Sequence, residues 1–406
     1  MQTQGQLRPL RNECERKRWN ELYHYAFYAD KTEDAWKEWL QEHPAPENKE
    51  DRGYFVEGEM VSTCSLLSFE VRLRGSSVVL GGLADISTPP EHRRQGHCEK
   101  TLYHQCDEMR RRGINVSALW PFSRSFYREF GWATASEATA FKLNPEDLRD
   151  IGGEITDRGN WNRVKACHWE TLREIRQVWA EPYDLTYHRS QDWWEKRIFK
   201  PFEGNLYAYC HRDTEGAADA YVIYTVTCND RYDYQVKVAD MAFTSPKAYR
   251  AILQFLHQHD SQASEYHLLR PMDDPLFRWL KSGKVTRGRG IMFRVVDIAA
   301  AVESVSYPAD LSAEIFLEIE DDLTSWNAGL HRITVRDGEA AVRSAEDVSD
   351  AQVVRTDIGA FSQIFAGYVT ASELHRGGEV DVQDESTLGV VDEIFPSCHP
   401  FMREYF

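Results

Sequence analysis

The tightest constraint on the fold lies between Gly81 and Gly131, where strand-like and helical segments alternate around an Arg-Arg-Gln-Gly turn. Val78 to Ile86 predicts a strand that leads toward this turn. After Gly96, Leu102, Tyr103, Cys106 and Met109 share one face of a predicted helix ending at Gly113, with Arg110, Arg111 and Arg112 in its last turn, where cations complement the helix dipole. Ile114 to Trp120 predicts a second strand, stopped by Pro121. Ser123 then caps a short helix carrying Phe126, Tyr127 and Phe130, which Gly131 closes. Elements in this order make a layered α/β unit rather than a helical bundle. The Gly96 turn matters chemically, because a glycine turn opening a helix offers unpaired backbone N–H groups and the positive dipole end to an anion.

At 406 residues the chain is too long for one ordinary core and is expected to form two or three domains. Trp19, Leu22, Tyr23 and Phe27 recur at helical spacing within Asn12 to Tyr28 and predict one buried stripe. Tyr54 to Val56 and Val61 to Val71 read as a hairpin around Glu57, Gly58 and Glu59. A second unit begins near Trp161, with a Trp-rich helical stretch (Trp169, Trp179, Trp193, Trp194). Strands are predicted at Leu206 to His211, Ala220 to Val226 and Gln235 to Ala242, and a helix at Lys247 to Gln258. It repeats the element order of the first unit without its glycine turn. A third unit starts near Val295, with strands at Ile315 to Ile319, His331 to Val335 and Ala340 to Arg343. Ile358 to Tyr368 predicts its helix, with Phe361, Ile364 and Phe365 facing in, and the chain ends in an aromatic tail, Phe395 to Phe406.

The formal charge of -17 disfavours nucleic acid and anionic membranes as partners and favours cationic ligands. No apolar run approaches the ~20 residues a spanning helix needs, and the N-terminus has no signal-peptide core, so the expected compartment is the cytoplasm. The 8 cysteines contain no C-x-x-C pair and the histidines no H-E-x-x-H, so no metal site and mostly packed, reduced thiols are expected. His257 and His259 read as a solvated pair at a helix end.

Arg93 to Cys98 reads R-R-Q-G-H-C, one position away from the R/Q-x-x-G-x-G/A turn of GCN5-related N-acetyltransferases (GNAT), with Cys98 where Gly or Ala is usual. Thr88, Pro89 and Pro90 before the turn, the Ile114 strand after it and Tyr127 beyond strengthen the match. With the degenerate repeat, the Trp326-Asn327-Ala328 segment and an aromatic last residue, nearly the whole chain resembles the enhanced intracellular survival (Eis) type of N-acetyltransferase. The resemblance implies an α/β (α+β) chain of tandem acetyltransferase-type domains followed by a sterol-carrier-like α+β domain. The expected units are 1–148, binding acetyl-CoA, 149–294, degenerate, and 295–406, whose end completes the active site. It also implies transfer of acetyl from acetyl-CoA to an amine, aminoglycoside-like or a lysine side chain, and assembly as a homohexamer.

Carried over position by position, the resemblance makes Ile86, Ser87 and Thr88 the strand edge that pairs with the pantetheine amides. Arg94, Gln95, Gly96, His97, Cys98 and Glu99 become the pyrophosphate cradle, and Phe122 with Ser123 a further coenzyme contact. Tyr127 becomes the general acid and the Phe406 carboxylate the general base. The chemistry is consistent: a phenol near ~10 can protonate a thiolate near ~8.5, and a terminal carboxylate becomes a better base when desolvated. Pro396, Pro400, Phe401 and Tyr405 are expected to supply that dry setting, and Glu404 is the fallback carboxylate. Cys98 is expected to tighten the cradle, and Glu99 to oppose phosphate unless it turns away. Two other readings stay open, a non-catalytic protein holding a lipid in the third domain, and an acyltransferase for longer chains like the N-myristoyltransferases.

Overall fold

The computed structural model describes residues 5–149, 151, 159–200, 205–230, 233–346 and 353–406. Three sheets organise them. The first contains β1 (Gln6–Pro9), β2 (Lys49–Val56), β3 (Glu59–Leu73), β4 (Ser76–Ser87) and β5 (Val116–Leu119), in that order. Neighbours are antiparallel except β4 and β5, which are parallel. Side chains alternate between the faces of a strand, and β3 is buried on both. Leu66 packs with Leu102, Cys106 and Met109 of α3 (His97–Arg111), whereas Leu67, Phe69, Val71 and Leu73 join a core continuous with the third unit. Each fully buried Leu or Phe contributes roughly 1.5–3 kcal/mol relative to exposure, so both faces hold this sheet in place. Tyr103, expected on the inner face of α3, is 39% exposed.

α1 (Glu13–Phe27) is capped by Asn12 and α2 (Glu33–Glu42) by Thr32, each side chain accepting from a first-turn N–H. Trp19 and Leu22 of the predicted stripe are buried, but Phe27 is 48% exposed and Tyr23 faces a cavity described below. The stripe is therefore only half core.

The sheets exchange strands. Glu137–Leu143 enters the second sheet, whose order is Lys284–Arg289, Glu137–Leu143, Ala263–Arg270, Asp233–Phe243, Ala218–Asp230, Asn205–Arg212, Asn160–Arg163. In return Met292–Val295 inserts into the first sheet between β5 and Ala133–Thr134. The boundaries expected at 148/149 and 294/295 run across this exchange. Of the second unit, the helix Pro246–His257 matches its prediction, but His259 is half-buried with its ring bonded to the Tyr224 hydroxyl, so the solvated pair at 257 and 259 is not what forms.

The third sheet runs Glu339–Ser344, Gly329–Arg336, Ala313–Glu320, Val353–Asp357, Val380–Asp381, and the helix Ile358–Phe365 buries Phe361, Ile364 and Phe365 as its periodicity predicts. Arg294 locks this unit to the first: its fully buried guanidinium donates to Asp321, Thr324 and the Phe130 carbonyl. Gly131 is required there, at φ +83, because an added Cβ would lie 1.8 Å from the guanidinium. Among the described residues no helix is long and apolar enough to cross a membrane.

Candidate active site

β4 and β5 pair only from Leu80–Leu83 against Val116–Leu119, so β4 continues to Ser87 without β5 while Pro121 turns the chain away. The extra residue in β4 is a bulge: Ser65 pairs with Ala84 and Thr63 with Ser87, and Asp85 takes φ +54. The two strands therefore splay, leaving the β5-side edge of residues 84–87 open. Ile86 lines the resulting cleft. The Ser87 side chain donates to the Leu22 carbonyl, and its carbonyl accepts from Ser62. Thr88 lies just beyond the strand, its carbonyl taken by Arg93.

At the N-terminus of α3, Gly96 is the cap residue at φ +74, and Arg94 is also left-handed at φ +60. Among the described residues, the backbone N–H groups of Arg94, Gln95, Gly96, His97, Cys98 and Glu99 have no acceptor. That is the donor array a diphosphate requires. The His97 ring is turned inward, beside Tyr54 and His92, and burial, then Lys100 and His92, lower its pKa; only its backbone serves the cradle. Glu99 is exposed. Cys98 is half-buried in the cluster around Tyr127, and burial, with a smaller effect of Glu99, pushes its thiol up to about 12.

Ser123 caps α4 (Arg124–Arg128) as predicted, accepting from Phe126 N–H. Tyr127 is buried, edge-on to Phe122 at 5.4 Å and to Phe126 at 5.2 Å. Burial, with a smaller effect of Cys98, raises its phenol pKa well above the ordinary value. Its hydroxyl has no hydrogen-bond partner among the described residues.

Tyr127, Phe122, Ile86 and Phe406 line one cavity of ≈ 400 Å³. The tail that carries Phe406 is held at several points. The Phe401 N–H donates to the Asp184 carbonyl, the Arg403 guanidinium to the carbonyls of Val238, Ala239 and Leu269, and Trp120 Nε1–H to the Glu404 carbonyl. The Phe406 ring packs on Phe69 at 4.7 Å, above Gly82, where an added Cβ would come within 2.7 Å of it. Phe401 packs instead into the second unit near Trp179, and Pro396 is exposed, so the apolar setting at residue 406 comes from Phe69 and the cavity wall, with Tyr405 beside Trp120. Glu404 cannot act as a base. Burial alone would raise its carboxyl, but Arg189 and Arg176, at 2.7 and 2.9 Å, outweigh that and hold it below the ordinary range.

Most of the cavity wall was not assigned to a site from sequence. Tyr23 and Phe27 of α1, Tyr28, and Trp39 of α2 form one side, with Trp193 and Arg197 contributed by the second unit. Asp85 accepts from Ser65 Oγ at 2.8 Å and pairs with Lys49 at 2.7 Å. Burial would lower the Lys49 pKa, but Asp85 and Asp51 outweigh it and raise it. Only the left-handed bulge marks Asp85, and a single sequence does not show a bulge.

A splayed parallel pair with a donor-rich helix turn beneath it is the coenzyme A cleft of one fold, and the comparisons agree. The acetyltransferase (GNAT) domain family models match residues 6–135 and 185–295, and the sterol carrier protein domain model matches 298–403. A Streptomyces avermitilis protein described as an uncharacterized N-acetyltransferase is 24% identical over 354 residues, 79% of this chain and 80% of its own. The GCN5-related N-acetyltransferase of Anabaena variabilis superposes with TM-score 0.84 at 20% identity, covering 99% of this chain and all of that one. The chain is a GCN5-related N-acetyltransferase, an enzyme of two acetyltransferase domains and a sterol carrier domain. Eis1 of Mycobacterium abscessus has the same fold, with TM-score 0.79 and 22% identity over 99% of this chain and 100% of its own. The GNAT fold makes acetyl-CoA the co-substrate.

Proposed function

We propose that this enzyme transfers acetyl from acetyl-CoA to a primary amine in the cavity shared by Tyr127 and Phe406, with Tyr127 as general acid and the Phe406 carboxylate as general base. The observation that carries the reading is their convergence on one cavity from positions 279 residues apart, beside the open edge of β4. The residues fit the co-substrate. The six unpaired N–H groups of 94–99 would hold its diphosphate, the edge at Ile86 and Ser87, continuing to Thr88, would pair with the pantetheine amides, and Phe122 with Ser123 would give a further coenzyme contact.

An amine attacks only when neutral, so the carboxylate removes its proton first or as the C–N bond forms. The nitrogen lone pair then bonds to the thioester carbon, the C–S bond breaks, and Tyr127 gives its proton to the departing sulfur. Burial that raises the Tyr127 pKa also raises that of a thiol nearby, as at Cys98, so donor and acceptor stay matched. The base assignment takes Phe406 as the terminal residue, which intact mass measures directly. The acceptor arrives as a cation, for which the aromatic walls and the overall charge of -17 are suited. Aminoglycosides and lysine side chains are the candidates from the resemblance. By the same resemblance the chain assembles as a cytoplasmic homohexamer, which light scattering tests. The catalytic proposal is tested by acetylation of an amine panel with acetyl-CoA, followed by release of free thiol; no amine-dependent thiol release from any of them would overturn it.

A further inference from the structure

The proposed acceptor cavity holds an arginine to which no carboxylate is bonded among the described residues. Arg197 lies just after Trp193 and Trp194, half-buried, in the wall of the cavity that contains Tyr127 and Phe406. Among the described residues it has no ion-pair or hydrogen-bond partner. The carboxylates electrostatically coupled to it are Asp85 and Asp192, and both are engaged. Asp85 pairs with Lys49 at 2.7 Å and accepts from Ser65. Asp192 pairs with Lys196 and accepts the Glu47 N–H at 3.0 Å. Burial lowers the Arg197 pKa, with Tyr23 and Asp85 offsetting only part of that, so the guanidinium sits in a poorly solvated place without a counter-ion. Guanidinium is the side chain best shaped to take a carboxylate in two parallel hydrogen bonds.

The rest of the wall says what the acceptor carries beside that carboxylate and the reacting amine. Tyr23, Tyr28, Trp39 and Trp120 present rings, and the Asp85–Lys49 pair cancels its own charge. Such a wall favours one aromatic body over a polycation, whose charges would meet Arg197. We infer that the acceptor is an aromatic amine that also bears a carboxylate, an aromatic amino acid or a close relative, and that Arg197 is the residue that selects it. This rests on the proposed acetyl transfer in the same cavity. Its distinct content is specificity: the ammonium goes to the base, the ring to the aromatic wall, and the carboxylate to Arg197.

Steady-state acetylation of L-phenylalanine, phenethylamine and kanamycin separates the alternatives, since the second keeps the ring without the carboxylate and the third has amines without either. The expected result is a kcat/KM for phenylalanine at least roughly tenfold above that for phenethylamine, on the scale of one charged hydrogen-bonded contact. In Arg197→Met that ratio collapses toward one through a raised KM for phenylalanine, and Arg197→Lys restores part of it. Melting temperature and acetyl-CoA calorimetry on the same variants show whether fold and coenzyme site survive. Equal or better use of phenethylamine or kanamycin by the parent, or an unchanged ratio in Arg197→Met, overturns the specificity inference while leaving acetyl transfer standing. Acetylation of none of the three overturns this inference too, and the wider amine panel then decides whether the proposed activity falls with it.

Discussion

Trp120 Nε1–H donates to the carbonyl of Glu404 at 2.8 Å, joining the end of the splayed strand to the chain two residues before Phe406. The proposed coenzyme cleft and the tail that carries the candidate base are thus one mechanical unit. Arg403 and the buried Glu404 side chain fix that tail to the second unit as well. Only Tyr405 and Phe406 lie beyond these anchors.

That arrangement separates stability from activity at residue 406. A C-terminal tag turns the carboxylate into a neutral amide and adds chain to the cavity, so turnover is expected to fall about 10²-fold or more with little change in melting temperature. Deleting Phe406 does likewise, because the new carboxylate retreats by one residue, ~3.5 Å, and ~1 Å of misplacement can cost ~10²-fold. Full activity in a tagged protein of unchanged stability would remove the terminal base.

Tyr127→Phe removes a hydroxyl that bonds to nothing among the described residues, so packing and acetyl-CoA affinity should be retained. Turnover is expected to drop roughly 10²-fold, the low end for a lost general acid. Stopped assays with an amine acceptor and calorimetry of acetyl-CoA give the two numbers; an unchanged rate would make Tyr127 a packing residue.

Gly96→Glu tests the cradle in two ways at once, by a carboxylate among the N–H donors and by strain at φ +74. Gly96→Asn is the control, since Asn tolerates the left-handed region without adding charge. The glutamate variant is expected to lose acetyl-CoA binding in calorimetry and the asparagine variant to keep most of it. Equal affinity in both variants and the parent would place the diphosphate elsewhere.

Glu404 gives the chain an acid-sensitive joint. Its folded pKa is held below the ordinary ~4.3, so its stabilising charge is fully present above that value and is lost as pH falls through the lower folded pKa. At neutral pH, Glu404→Ala leaves Arg189 and Arg176 without this partner and should destabilise by about 3–5 kcal/mol. The gap between parent and variant, read from denaturant unfolding, should narrow below pH ~4.3. A gap independent of pH would mean the carboxyl is not charged in the fold.

What the sequence by itself determined was local. The cap at Ser123, the turn at Gly96, the hairpin around Gly58, the inward face of Phe361, Ile364 and Phe365, and the candidate pair Tyr127 and Phe406 all rest on residues within a turn or two of one another, or on resemblance along the chain. Periodicity reports that a face is covered but not by what. Tyr23 and Phe27 therefore read as core, although both line the cavity and Phe27 is half in solvent. The exchange of Glu137–Leu143 for Met292–Val295, the capture of Glu404 by Arg176 and Arg189, and the meeting of Arg197 with α1 were decided by the tertiary structure alone. Each joins segments dozens to hundreds of residues apart, and long-range pairing of strands and charges follows from how three cores pack together, which no local spacing encodes.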